Sequence, residues 1–175
     1  MIKPIKKLTG LKMEHAQTMV EFALVFPIVL LITYGLIEFG RMVFIYAAVT
    51  GSAREGTRYG AAVGGTTPQY ADCAGIRNAV RSTAFLITIP DNRIVIRYDS
   101  GPGTATKTNC PPPLVITDPS HIILGDRIVV QVNACYQPII SFLNIGKMDC
   151  SNPANHNITA YNARTILKQV PITYP

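Results

Sequence analysis

The sequence predicts an α+β protein: a long apolar helix near the N-terminus that runs on into polar sequence, a second helix, and a small antiparallel sheet of about three strands. Three observations carry this reading. Residues 22–37 hold no charge and are almost all apolar. Apolar residues then recur at helical spacing between 69 and 85, and alternate with polar ones in two later stretches.

The elements follow in chain order. Residues 1–16 form a basic leader with four lysines and one glutamate, a balance of +3 out of a chain total of +6. Pro4 and Gly10 interrupt it. The other half of the net charge is spread over 159 residues, so no basic stripe marks a folded nucleic-acid interface, and nucleic acid is not an expected partner. Positive charge beside an apolar run stays on the cytoplasmic side. The leader is therefore expected inside and residues 61–175 outside.

Residues 17–60 are expected to be one helix, with a membrane span over about 22–46. The apolar run is long enough for a hydrocarbon core of ~30 Å. It exceeds the h-region of a secretory signal, and Ala47-Ala48 is only a weak approach to a cleavage site. Glu21 stands at its entrance and Pro27 inside it. A proline removes one backbone hydrogen bond and crowds the carbonyl four residues back, here that of Ala23, so a kink or local loosening is expected. Glu38 and Arg41 are three residues apart and can pair on one face. Glu21 and Glu38 are ~25 Å apart along a helix, so they can mark the two bilayer surfaces. Ala48, Ser52, Gly56 and Gly60 recur every four residues. Such a ridge lets another backbone approach closely. It packs either on the protein's own sheet or on a helix of a neighbouring subunit.

These residues carry a resemblance. Gln17, the Val20-Glu21-Phe22-Ala23-Leu24 string, Pro27, Glu38-Phe39-Gly40-Arg41, Ala53-Arg54-Glu55-Gly56 and Arg58-Tyr59 together resemble the TadE-like proteins of bacterial tight-adherence (Tad, Flp-type) pilus systems. The dense part covers about 45 positions, and the remainder is similar only in outline to pilin-like folds. The resemblance implies a minor pilin or pseudopilin of the inner membrane, or of the pilus itself. It implies cutting by a prepilin peptidase between Ala16 and Gln17, with Glu21 and Phe22 opening the mature helix. The implied partners are other pilins or pseudopilins, the Tad inner-membrane assembly machinery, the peptidase and membrane lipid. Ala16 departs from the family, which usually has glycine before the cut; alanine is small enough for a pocket built for glycine.

Beyond Gly60, the stretch 64–68 reads as a loop ended by Pro68. A second helix is expected over 69–85, with Thr67-Pro68 or Asp72 as cap. Residues 90–92 read as a turn, and 94–98 as a half-buried strand. Residues 101–113 are rich in Gly, Thr and Pro and read as a long loop. A second strand begins at Gly125-Asp126 and a third spans 157–167. The apolar piece 139–145 lies in the long connection between them.

All four cysteines, Cys73, Cys110, Cys135 and Cys150, follow the apolar helix. An even count downstream of an export segment suggests disulfides. Of three possible pairings, Cys73–Cys110 with Cys135–Cys150 is favoured because each closes a local loop. Four reduced, buried thiols are the alternative.

No phosphate loop, nucleophile elbow or zinc-ligand spacing is present, so no cofactor and no enzymatic activity are expected. Asp118, Ser120 and His121 are neighbours in sequence, which is weak evidence for a triad. The competing reading to a pilin is an uncleaved, single-pass anchored binding or adhesion module outside the membrane.

Overall fold

A computed structural model describes residues 12–62, 68–85, 87–110, 121–139, 149–152, 154–155 and 158–167. Most of the leader, the 64–67 loop, the 140–145 apolar piece and residues 118–120 lie outside these. The chain divides into two compact units between Arg41 and Met42.

Helix α1 runs over Lys12–Gly60 and is assigned without a break through Pro27. In the first unit its apolar side chains are exposed on every side: Leu24, Ile28, Leu31 and Phe39 are each more than half accessible. Over Gln17–Gly60 the helix is long and apolar enough to cross a membrane, and its most apolar 18 residues have mean hydropathy 2.3.

In the second unit the same helix becomes one-sided. Ile45, Val49, Ser52, Ala53, Gly56, Thr57 and Gly60 are buried, a stripe at steps of three and four residues. Each fully buried aliphatic side chain contributes roughly 1.5–3 kcal/mol. This stretch of α1 is therefore a wall of the core.

A 3-10 turn, Gln69–Ala71, precedes helix α2, Cys73–Thr83. The expected helix over 69–85 is thus shorter at both ends. Asp72 explains the start: its backbone is non-helical and its side chain accepts from the Gly75 N–H at 2.8 Å. A second 3-10 turn, Asp91–Arg93, occupies the expected turn and leads into strand β1, Ile94–Asp99.

Among the described residues the sheet has four strands, not three. β2 is Thr106–Asn109, β3 is Arg127–Ala134 and β4 is Ile158–Thr165, in the order β2-β1-β3-β4, all antiparallel. The additional strand, β2, lies inside the expected loop. Its sequence TKTN has no apolar residue, so hydrophobic alternation could not reveal it. It is an edge strand, where burial is not required.

The inner face of the sheet presents Ile94, Ile96 and Tyr98 from β1, Ile128, Val130 and Val132 from β3, and Ile158 and Ala160 from β4. α1 and α2 cover this face. A Cβ on Gly56 would meet Val80 at 2.5 Å and Val130 at 3.2 Å. One on Gly60 would run into Ile128 and sit 3.1 Å from Ile76. These two glycines let the helix approach both α2 and β3.

Candidate functional site

The residues singled out for processing and assembly lie along α1. Ala16 and Gln17 are both within the helix. One turn on, Gln17 Nε2 donates to Glu21 Oε1 at 3.1 Å on an exposed face. Phe22 stacks on Phe26, ring centroids 5.2 Å apart. Pro27 follows, and Thr33 donates its hydroxyl back to the Val29 carbonyl. Arg41 lies 3.5 Å from Glu38, the pair made possible by the three-residue step. A helix with apolar groups on all sides and a carboxylate at its entrance suits lipid or a bundle of like helices.

The small-residue ridge is placed in the second unit. Ser52 is fully buried and donates to the Ala48 carbonyl at 2.9 Å, while Ala48 itself is only partly covered. Gly56 and Gly60 lie beneath α2 and the inner sheet face. Thr57 joins the helix to the sheet by donating to Asn162 Oδ1 on β4 at 2.7 Å. On the outward side, Arg58 grips Glu55 through two hydrogen bonds of 2.8 and 2.5 Å. Tyr59 donates to the helix-capping Asp72 at 2.8 Å, and that bond holds the phenol above its usual ionisation range.

The four cysteines pair as Cys73–Cys110 and Cys135–Cys150, with Cα atoms 5.8 and 5.7 Å apart. Beside each disulfide stands a buried arginine that the pattern reading passed over. Arg77 donates to the carbonyls of Asp91, Ile94 and Cys110 at 2.8, 2.9 and 2.6 Å. Burial pushes its guanidinium below the usual arginine range, with Asp91 opposing. Arg93 donates to the carbonyls of Cys150, Asn152 and Asn155 at 2.8, 3.2 and 3.1 Å. One signal was available: Cys73, Ile76, Arg77 and Val80 fall on one helical face, so Arg77 occupies a core position.

A polar knot closes the opposite end of β1. Asp126, 2% exposed, accepts from Lys107 Nζ at 2.8 and 2.9 Å, from the Ile123 N–H at 2.9 Å and from the Ser100 hydroxyl at 3.1 Å. Burial raises its carboxyl, but these donors outweigh burial and hold it below the usual range. Lys107 thereby ties the edge strand β2 to the turn before β3. Next to it Arg127 Nε donates to Asp99 Oδ1 at 2.8 Å.

Among the described residues no group of three or more His, Cys, Asp or Glu is placed to hold a metal. His121 is described, whereas Asp118 and Ser120 lie outside the described residues.

A family model described as TadE-like protein matches residues 16–58. That is the stretch of α1 carrying the residues expected to be processed, the apolar run and most of the core-facing stripe. The match supports a pilin-like role associated with Tad pili in general, and that role is structural. No curated protein and no solved structure matches the chain significantly.

Proposed function

We propose, from the TadE-like character of residues 16–58, that this protein is a minor pilin or pseudopilin that takes part in assembling a Tad-type pilus for surface attachment or secretion. The observation that carries it is the coincidence of the family match with a single helix that is apolar on all sides where a membrane would lie and one-sided where it enters the core. The leader stays cytoplasmic because of its lysines. A dedicated peptidase cuts between Ala16 and Gln17. Glu21, one turn from Gln17, then neutralises the new terminal amine on the same or a neighbouring subunit. Other pilins and the inner-membrane assembly machinery are the partners, and lipid surrounds the helix before assembly.

The test is the mature N-terminus, read by intact mass with and without the co-encoded peptidase. A chain beginning at Gln17 supports processing. Retention of Lys3 through Lys12 in the presence of the peptidase favours the anchored binding module. Glu21→Ala is expected to leave membrane insertion unchanged and to abolish piliation; normal piliation would remove Glu21 from the mechanism.

A further inference from the structure

The outer face of the sheet, away from α1, holds a concavity of about 490 Å³, within the ~300–1,000 Å³ range of ligand pockets. The β1–β2 loop overhangs it at Pro102, Gly103 and Thr104, and Gly103 takes φ +76° to make that turn. The floor is set by register. Arg97 lies opposite Val129, which lies opposite Ala163, and Asp99 lies opposite Arg127.

The donors and acceptors of this face are not used up. Arg97 has no hydrogen bond or ion pair among the described residues, although its flank is half-buried on Val129. Arg127 engages Asp99 through Nε, and its Nη atoms have no partner among the described residues. Asp99 Oδ1 already takes Arg127 and the Gly101 N–H, which leaves Oδ2 to accept. Tyr161 lines the same concavity with 72% of its surface exposed and no hydrogen bond among the described residues.

The geometry points to a binding site for an acidic saccharide, a hexuronate unit, between Arg97, Arg127 and Tyr161. A guanidinium presents a planar fork that matches a carboxylate. The carboxylate of the sugar accepts from Arg97. Its hydroxyls accept from Arg127 Nη and donate to Asp99 Oδ2, and the apolar face of the ring lies on Tyr161. An acidic peptide also offers a carboxylate and N–H donors for Asp99; the saccharide is favoured because one rigid ring carries the carboxylate, the hydroxyls and an apolar face for Tyr161. This site requires nothing of the pilus reading, because it lies wholly on the sheet and its β1–β2 loop.

The experiment uses the full chain in lipid nanodiscs, free of sugar detergents, titrated calorimetrically with tri-galacturonate. Saturable binding is expected, with none for the neutral methyl ester. Arg97→Gln and Tyr161→Ala should each weaken it by about tenfold or more, as loss of a charge-assisted pair or a stacking surface does. Arg54→Gln, on an exposed part of α1, should not change it. Neither groove position has a hydrogen bond among the described residues, and an unchanged far-UV spectrum and melting temperature check that the variants fold. Absence of saturable binding, wild-type affinity in both variants, or equal binding of tri-glutamate would overturn the assignment.

Discussion

Gly56→Ala asks whether α1 is a wall of this protein's own core. The substitution gains about 1 kcal/mol of helix propensity. The added methyl lands 2.5 Å from Val80 Cγ2 and 3.2 Å from Val130 Cγ1, and carbons pack ordinarily at about 3.5–4.0 Å. Valine on a helix is held in one rotamer, so Val80 cannot turn aside cheaply. Overpacking of this kind costs about 1–3 kcal/mol. An overlap of about 1 Å belongs at the upper end, leaving a net loss of about 2 kcal/mol. For a domain of this size that is a fall in Tm of about 6–10 °C. The melt can be followed in the near-UV, where the chain has eight tyrosines and no tryptophan. Gly51→Ala is the control, since nothing lies within 4 Å of its new methyl; it should gain stability. Val80→Ala vacates the collision, so the double variant Gly56→Ala/Val80→Ala should lose less than the two singles together, with a coupling of about 1 kcal/mol or more. A Gly56→Ala protein as stable as Gly51→Ala, or strict additivity with Val80→Ala, would refute the packing. A variant of normal stability that failed only in assembly would turn Gly56 toward a neighbouring subunit.

Replacing Cys135 and Cys150 by serine should cost about 3 kcal/mol, and replacing Cys73 and Cys110 about 4 kcal/mol, because the second loop is longer; urea midpoints under oxidising conditions measure both. Asp126 has a folded pKa below its unfolded value. Its contribution is therefore present above about pH 4 and lost as pH falls through the lower, folded value. Asp126→Asn should melt lower at pH 7 yet lose less between pH 5 and 3, and a parallel pH profile would show that the carboxylate does not carry the acid sensitivity.

The long helix was legible because membrane-length hydrophobicity needs no tertiary context. Strands β1 and β3 were legible because their inner faces are apolar at every second residue; β4 keeps that pattern only over Ile158 and Ala160. The disulfide pairing followed from loop length alone. What escaped was whatever tertiary contact decides. β2 is a strand because Lys107 reaches Asp126 and Cys110 is anchored, not because TKTN prefers to be one. α2 starts where Asp72 accepts from the Gly75 N–H, one of the two caps the sequence offered, and periodicity alone does not choose between them. Arg77 sits on the apolar face of α2 and Arg93 in a turn outside any apolar pattern, and only the carbonyls around them explain their type. The outer groove depends on register, which brings residues 97, 127 and 161 together over a long sequence separation.

Cys73 and Arg77 stand one turn apart on α2, and both reach residue 110: one through its sulfur, the other through its carbonyl. The guanidinium grip needs no oxidant. It can form while the thiols are still reduced and raise the effective concentration of Cys110 at Cys73 above that of Cys135 or Cys150. Choice among the three pairings is then made by hydrogen bonding before any covalent step. On reoxidation from the reduced chain, Arg77→Gln should therefore yield more mispaired species by peptide mapping, and an unchanged share of native pairs would show that loop length alone selects the partner.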